Sequence, residues 1–173
     1  MNYQVCILSA GVGSRMGSLG QVLNKGIFPY KGKAIISHII EKFPSNTDFV
    51  FAIGYKKQQL KDYLKISHPK RFGKFKFVNI KNYNREGSGP GLSLSKCKVF
   101  LKKPFYFIPC DTLILDKLPK DNKKNWVGIF QTSLKNSKDY CNLEITKNIV
   151  NKIYDKKKYH KKNMVSFNGV MFI

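Results

Sequence analysis

Acidic side chains are scarce in this chain: 10 Asp and Glu stand against 32 Lys and Arg, leaving a formal net charge of +22 and a pI near 9.9. Such an excess implies an anionic partner. Its spread argues against a nucleic-acid face, because the excess is nearly all Lys, runs from Lys25 to Lys162, and accompanies abundant Asn, Ile, Phe and Tyr, a mixture that codon bias alone produces. The densest run, Lys156, Lys157, Lys158, Lys161 and Lys162, reads as a solvated loop. Cys6, Cys97, Cys110 and Cys141 form no C-x-x-C pair and have no neighbouring His, which excludes a zinc site and leaves buried, reduced thiols. His38, His68 and His160 share no spacing with carboxylates, so none is a candidate general base. No apolar run approaches a membrane span, and the N-terminus has neither a basic region nor a long apolar one. The expectation is a cytoplasmic protein with no membrane partner.

What is present is ordinary for a globular chain, with 42% hydrophobic and 24% charged residues, and 173 residues fit one domain spanning 1–173. Strand-like and helix-like segments alternate through the first two-thirds, which predicts a parallel sheet covered by helices. Residues 3–9 read as a buried strand feeding the glycine turn at Gly11 and Gly13. Ile35, Ile36, Ile39, Ile40 and Phe43 recur at helical spacing, and Pro44 stops the pattern, predicting a helix over 33–43. Strands follow at 49–53, 75–80 and 105–110, with helices at 57–64 and 92–101 between them. After Asp111 the rhythm changes to strands alone, at 126–132, 140–145, 149–154 and 165–173, with a hairpin turn at Lys147-Asn148 and Trp126 as a packing residue.

Chemistry concentrates at two strand ends. Gly11 and Gly13 let backbone N–H groups face a polyphosphate with no Cβ in the way, and Arg15 and Lys25 supply matching charge. A dinucleotide fingerprint fails, since position 16 is Met where it needs Gly, and a Walker loop fails because Ala34 stands where Ser or Thr binds magnesium. Asp111, at the end of the strand over 105–110, lies at the sheet edge where ligands gather in open α/β folds, and its carboxylate suits Mg²⁺. The segment Glu86-Gly87-Ser88-Gly89-Pro90-Gly91 offers small residues against a flat base.

The stretch Leu8-Ser9-Ala10-Gly11-Val12-Gly13-Ser14-Arg15-Met16, followed by Asn24-Lys25 and by Gly32 to Ile40, resembles the signature of the sugar-phosphate nucleotidyltransferases. Asn24 replaces the usual proline before the retained lysine. The resemblance implies an α/β, Rossmann-like three-layer sandwich with a mainly parallel central sheet, of the nucleotide-diphospho-sugar transferase type. It implies transfer of NMP from an NTP to a sugar 1-phosphate with release of pyrophosphate. Phosphocholine with CTP, a molybdopterin-type acceptor, or a non-catalytic nucleotide- or nucleic-acid-binding domain are the alternatives. Under this resemblance Ala10, Gly11, Gly13, Ser14, Arg15, Gly87 and Gly89 hold the nucleotide. Arg15, Lys25 and Asp111 are catalytic, Asp111 binds Mg²⁺, and Lys156 and Gly169 meet the acceptor. No general base is required, because the attacking phosphate oxygen is already ionised. Relatives carry a second metal-binding Asp on a segment after the last strand seen here, so under this resemblance either the chain is a fragment or a divergent short form, or another carboxylate substitutes.

Overall fold

The computed structural model describes residues 2–119, 124–155 and 164–173. Strand β1 (Gln4–Ser9) is buried along nearly its whole length and lies inside the sheet, with a parallel neighbour on each side. Its two faces feed two cores. Val5 and Ile7 point into the larger cluster, with Ile36, Ile39 and Ile40 of α2 (Ile35–Glu41) and Leu60 and Leu64 of α3 (Lys57–Ser67). Cys6 and Leu8 point the other way, toward Cys97 of α4 (Pro90–Cys97). A strand buried on both faces reads as a continuous apolar run rather than an alternating one, which is what residues 5–8 show. Helices on both sides of one sheet make the three layers of an α/β fold.

β1 pairs in parallel with β4 (Asp48–Ile53) on one side and β6 (Phe105–Pro109) on the other, and β4 pairs in parallel with β5 (Phe75–Asn79). The chain therefore winds outward through β4 and β5, then crosses back to the other flank of β1. That reversal opens a crevice at the C-terminal ends of β1 and β6, the place where ligands bind in such sheets. Beyond β6 the sheet turns antiparallel. β10 (Met164–Phe172) pairs with β6, with β7 (Trp126–Phe130) and with β8 (Asn142–Thr146), and β9 (Ile149–Tyr154) closes that edge.

Several boundaries differ from the sequence expectation. The helix begins at Ile35 rather than 33, because Lys33–Ala34 (β3) pairs with Pro29–Tyr30 (β2) across a turn in which Lys31 and Gly32 both take positive φ. α4 begins at Pro90, two residues early, since proline suits a first helical turn whose N–H groups have no intrahelical partner. Two short helices were not expected, α1 (Ser18–Val22) and α5 (Leu134–Ser137), and β8 starts at Asn142. The hairpin expected at Lys147-Asn148 is present, with both residues at positive φ as a two-residue turn requires. Trp126 stacks on Phe172 at 6.4 Å. Among the described residues no helix is long and apolar enough to cross a membrane.

Candidate active site

The turn after β1 is built by glycine and fixed by one asparagine. Gly13 takes φ 69°, a left-handed value that β-carbon crowding disfavours, and its carbonyl accepts the Met16 N–H at 2.9 Å to start the short helix Ser14–Met16. Space in front of Gly11 is empty, with no heavy atom within 4 Å of where a β-carbon would sit. Asn24 then anchors the return of the loop. It is fully buried, and its Nδ2 donates to the carbonyls of Ser9 (3.3 Å) and Tyr55 (2.8 Å) while Oδ1 accepts the Gly26 N–H at 2.9 Å. The Asn24 N–H donates to Gln59 Oε1 at 2.7 Å. The end of β1, the start of α3 and the lysine loop are thus tied together through one side chain.

Lys25, next in sequence, reaches across to the end of β6, where its Nζ donates to Asp111 Oδ2 at 3.2 Å. The Cys110 N–H donates to the Leu8 carbonyl at 3.1 Å, which holds the tips of the two strands side by side. Burial works to lower the Lys25 pKa, but the Asp111 carboxylate, through its charge and the hydrogen bond it accepts, outweighs it even against the opposing charge of Arg15, so the ammonium is held above its usual value. The Cys110 thiol is pushed up to about 12, chiefly by burial, and stays protonated. Arg15 lines the same cleft as Lys25 and Asp111.

These groups line a cleft of about 570 Å³. Of the residues singled out by sequence, Ala10, Gly11, Arg15, Lys25, Gly89, Asp111 and Gly169 line it. Gly13, Ser14 and Gly87 do not, and Gly13 instead shapes the turn that carries Arg15. Lys156 lies outside the described residues. Gly169 takes φ 91° at an irregularity in β10, where an added β-carbon would come within 2.6 Å of Pro109 Cγ, so glycine there lets β10 close on the end of β6. Sequence reading passed over Tyr83, Asp139, Tyr140, Phe167 and Met171, which also form the walls. It also treated Cys141 as a buried thiol. Cys141 is partly exposed and lines the same cleft, since it enters β8 from the turn after α5 instead of lying within a covered strand.

The profile of the MobA-like NTP transferase domain matches residues 5–118, from the first strand through the segment after Asp111. The chain belongs to this family. A relative in Methanocaldococcus jannaschii, the bifunctional protein GlmU, is 34% identical over 113 residues, covering 65% of this chain and 26% of its own. The chain spans between 26% and 38% of the length of the curated relatives it matches. Among solved structures, a UDP-glucose pyrophosphorylase complexed with UDP-glucose superimposes with a TM-score of 0.82 at 18% identity, over 100% of this chain and 76% of that one. A glucose-1-phosphate thymidylyltransferase from Bacillus anthracis gives 0.77 at 19% identity, over 98% and 70%. Both likenesses confirm the α/β nucleotide-diphospho-sugar transferase fold.

Proposed function

We propose that the cleft takes an NTP and a small phosphorylated acceptor, with sugar 1-phosphate as the parent class, and joins NMP to the acceptor while releasing pyrophosphate. The observation that carries this reading is the meeting of Arg15, Lys25 and Asp111 beside an unfilled glycine wall at the tips of β1 and β6. The Gly11 surface admits the triphosphate close to the backbone, Arg15 and Lys25 offset its charge, and Gly89 and its neighbours leave room for the base.

The acceptor's phosphate oxygen attacks the α-phosphorus, a new P–O bond forms, and the bond from that phosphorus to the bridging oxygen breaks as pyrophosphate departs. The attacking oxygen carries its negative charge near neutral pH, so positioning and charge stabilisation account for the acceleration. Arg15 and Lys25 act where charge accumulates on the leaving group. His68 takes no part, being held against Ser37 Oγ at 2.8 Å on the far side of α2.

Among the described residues no group of three or more His, Cys, Asp or Glu could hold a metal by protein ligands alone. A lone carboxylate facing a phosphate site fits Mg²⁺, which takes one or two protein carboxylates and completes its shell with phosphate oxygens and water. Asp111 would hold it, and the ion would neutralise phosphate charge. The triphosphate substrate suits a cytoplasmic enzyme.

The test is a pyrophosphate-release screen crossing CTP, UTP, GTP, ATP and dTTP with sugar 1-phosphates and phosphocholine. Asp111→Asn and Arg15→Ala are each expected to lower kcat/KM by about 10²–10³-fold with whichever pair turns over. A variant as fast as the parent removes that residue from the mechanism.

A further inference from the structure

The stretch that joins the glycine turn to Lys25 has little burial to hold it. From Ser14 to Leu23 the buried residue is Gly20, which has no side chain to pack, while Leu19 and Val22 of α1 are 46% and 59% exposed. Yet this stretch carries Arg15 near its start and delivers Lys25 just past its end.

Hydrogen bonds from Tyr55 and α3 supply the restraint that packing does not. The Tyr55 hydroxyl donates to the Gln21 carbonyl at 3.2 Å. Gln59 Nε2 donates to the Val22 carbonyl at 3.1 Å, and Gln59 Oε1 accepts the Asn24 N–H at 2.7 Å. Asn24 Nδ2 returns a bond to the Tyr55 carbonyl at 2.8 Å. Gln59 therefore grips the main chain on both sides of Leu23 with the two ends of one amide, a task that needs a donor and an acceptor on the same side chain.

The backbone at this point sharpens the role of Gln59. Asn24 has φ −65° and Leu23 before it is extended, at φ −121° and ψ 144°. A proline at 24 would fix the same shape through its ring, and would have no N–H to give. Asn24 keeps that shape and presents an N–H, which Gln59 receives, so a hydrogen bond from α3 stands where a covalent restraint could. Neither Tyr55 nor Gln59 lines the cleft, so their influence on the site passes through the loop.

We propose that Gln59 is a positioning residue for the transfer reaction: by receiving the Asn24 N–H and holding the Val22 carbonyl, it sets where Lys25 meets Asp111. This rests on the nucleotidyl-transfer reading above, in which Lys25 acts on the leaving group.

The experiment reads lysine reactivity in the full chain by brief acylation with an N-hydroxysuccinimide ester followed by peptide mass spectrometry, with pyrophosphate release measured alongside. In the parent, Lys25 is shielded, its side chain 21% exposed and its Nζ engaged with Asp111. Gln59→Met keeps the length and helix propensity but offers no donor and only a weak acceptor. It is expected to label Lys25 about threefold to tenfold faster, the scale of one hydrogen bond. Lys57 and Lys61 lie on α3 itself, against Asn79 and Phe77, and are expected to keep the parent's rates, which separates a displaced loop from a damaged helix. Gln59→Glu retains the acceptor for the Asn24 N–H and is expected to return Lys25 to within about twofold of the parent. In pyrophosphate release, Gln59→Met is expected to lower kcat by about threefold to tenfold while KM for the NTP stays close to the parent's, the split produced by losing an interaction made in the transition state.

Lys25 labelling unchanged in Gln59→Met, accelerated equally at Lys57 and Lys61, or as fast in Gln59→Glu as in Gln59→Met overturns the proposal and leaves nucleotidyl transfer standing. A selective rise at Lys25 with kcat unchanged overturns it as well, because the place of Lys25 would then not govern transfer. No pyrophosphate from any NTP and acceptor removes the transfer reading, and the labelling alone then decides whether Gln59 places Lys25.

Discussion

Asn24 shows how much one side chain can organise. The family-like signature places proline at this position, and the replacement reads as minor in a sequence. In the fold, Asn24 is fully buried and satisfies the Ser9 and Tyr55 carbonyls and the Gly26 N–H. Asn24→Ala strands those groups away from water, and each unsatisfied buried group costs on the order of 1–3 kcal/mol. Urea unfolding of Asn24→Ala is therefore expected to show a loss of about 2–3 kcal/mol, partly relieved by local rearrangement. A change below about 0.5 kcal/mol, the size of an ordinary surface substitution, would show that the loop does not depend on it. By contrast, that Arg15, Lys25 and Asp111 would gather at one sheet edge was legible from their places beside glycines and at a strand end, and the three do line one cleft.

His68 gives a residue-scale dependence on pH. It is buried against Ser37 and Phe75, and burial lowers its pKa below the usual 6.5, with Arg71 and Lys33 adding to the effect and Glu41 opposing it. The unfolded chain then binds a proton at a pH where the folded one does not. Stability from this group is complete above about 6.5 and falls as pH drops through the lowered folded value. The thermal midpoint of His68→Gln should decline less steeply than the parent's below pH 6.5. Parallel slopes would assign the acid sensitivity elsewhere.

At the scale of elements, the sequence pattern was informative where one period dominates. The apolar run of β1 and the i, i+3, i+4 repeat of α2 each leave one arrangement that buries their side chains. It was uninformative where few residues decide the outcome. The pairing of Pro29–Tyr30 with Lys33–Ala34 takes two residues from the expected helix, and its turn uses a left-handed Lys31 that no propensity favours. α5 is four residues long, too short for periodicity, yet it sets the turn that brings Asp139 and Tyr140 to the cleft.

Gly54 tests how tightly elements close around the site. A β-carbon there would lie 2.7 Å from Tyr83 Cδ1 and 2.8 Å from the Ala10 carbonyl oxygen, and both residues line the cleft. The same Ala10 carbonyl accepts the Tyr55 N–H at 2.9 Å, so the backbone has little room to yield. Gly54→Ala is expected to cost about 1–3 kcal/mol as an overpacking substitution and to raise KM for the NTP. Unchanged stability and KM would mean that the strand ends are looser than their contacts indicate.

On the scale of the whole molecule, the site follows from topology. The sheet reverses direction around β1, so the glycine turn and Asp111 come to the same edge although 100 residues separate Gly11 from Asp111 in the chain. Alternating strands and helices made that edge predictable; the lining from the antiparallel half was not, Gly169 apart, because the other residues that β8, β10 and their turns bring to the cleft belong to no motif. Charge adds little to this account, since the many lysines are spread along the chain and, among the described residues, Lys25 is the one that lines the cleft.

The most direct measurement is a map of backbone amide shifts in the full chain during titration with an NTP and Mg²⁺. The account predicts that the largest changes fall on Gly11, Gly13, Ser14, Arg15 and Asp111, saturating together with one affinity. Changes scattered over surface lysines, with the glycine turn unmoved, would contradict it.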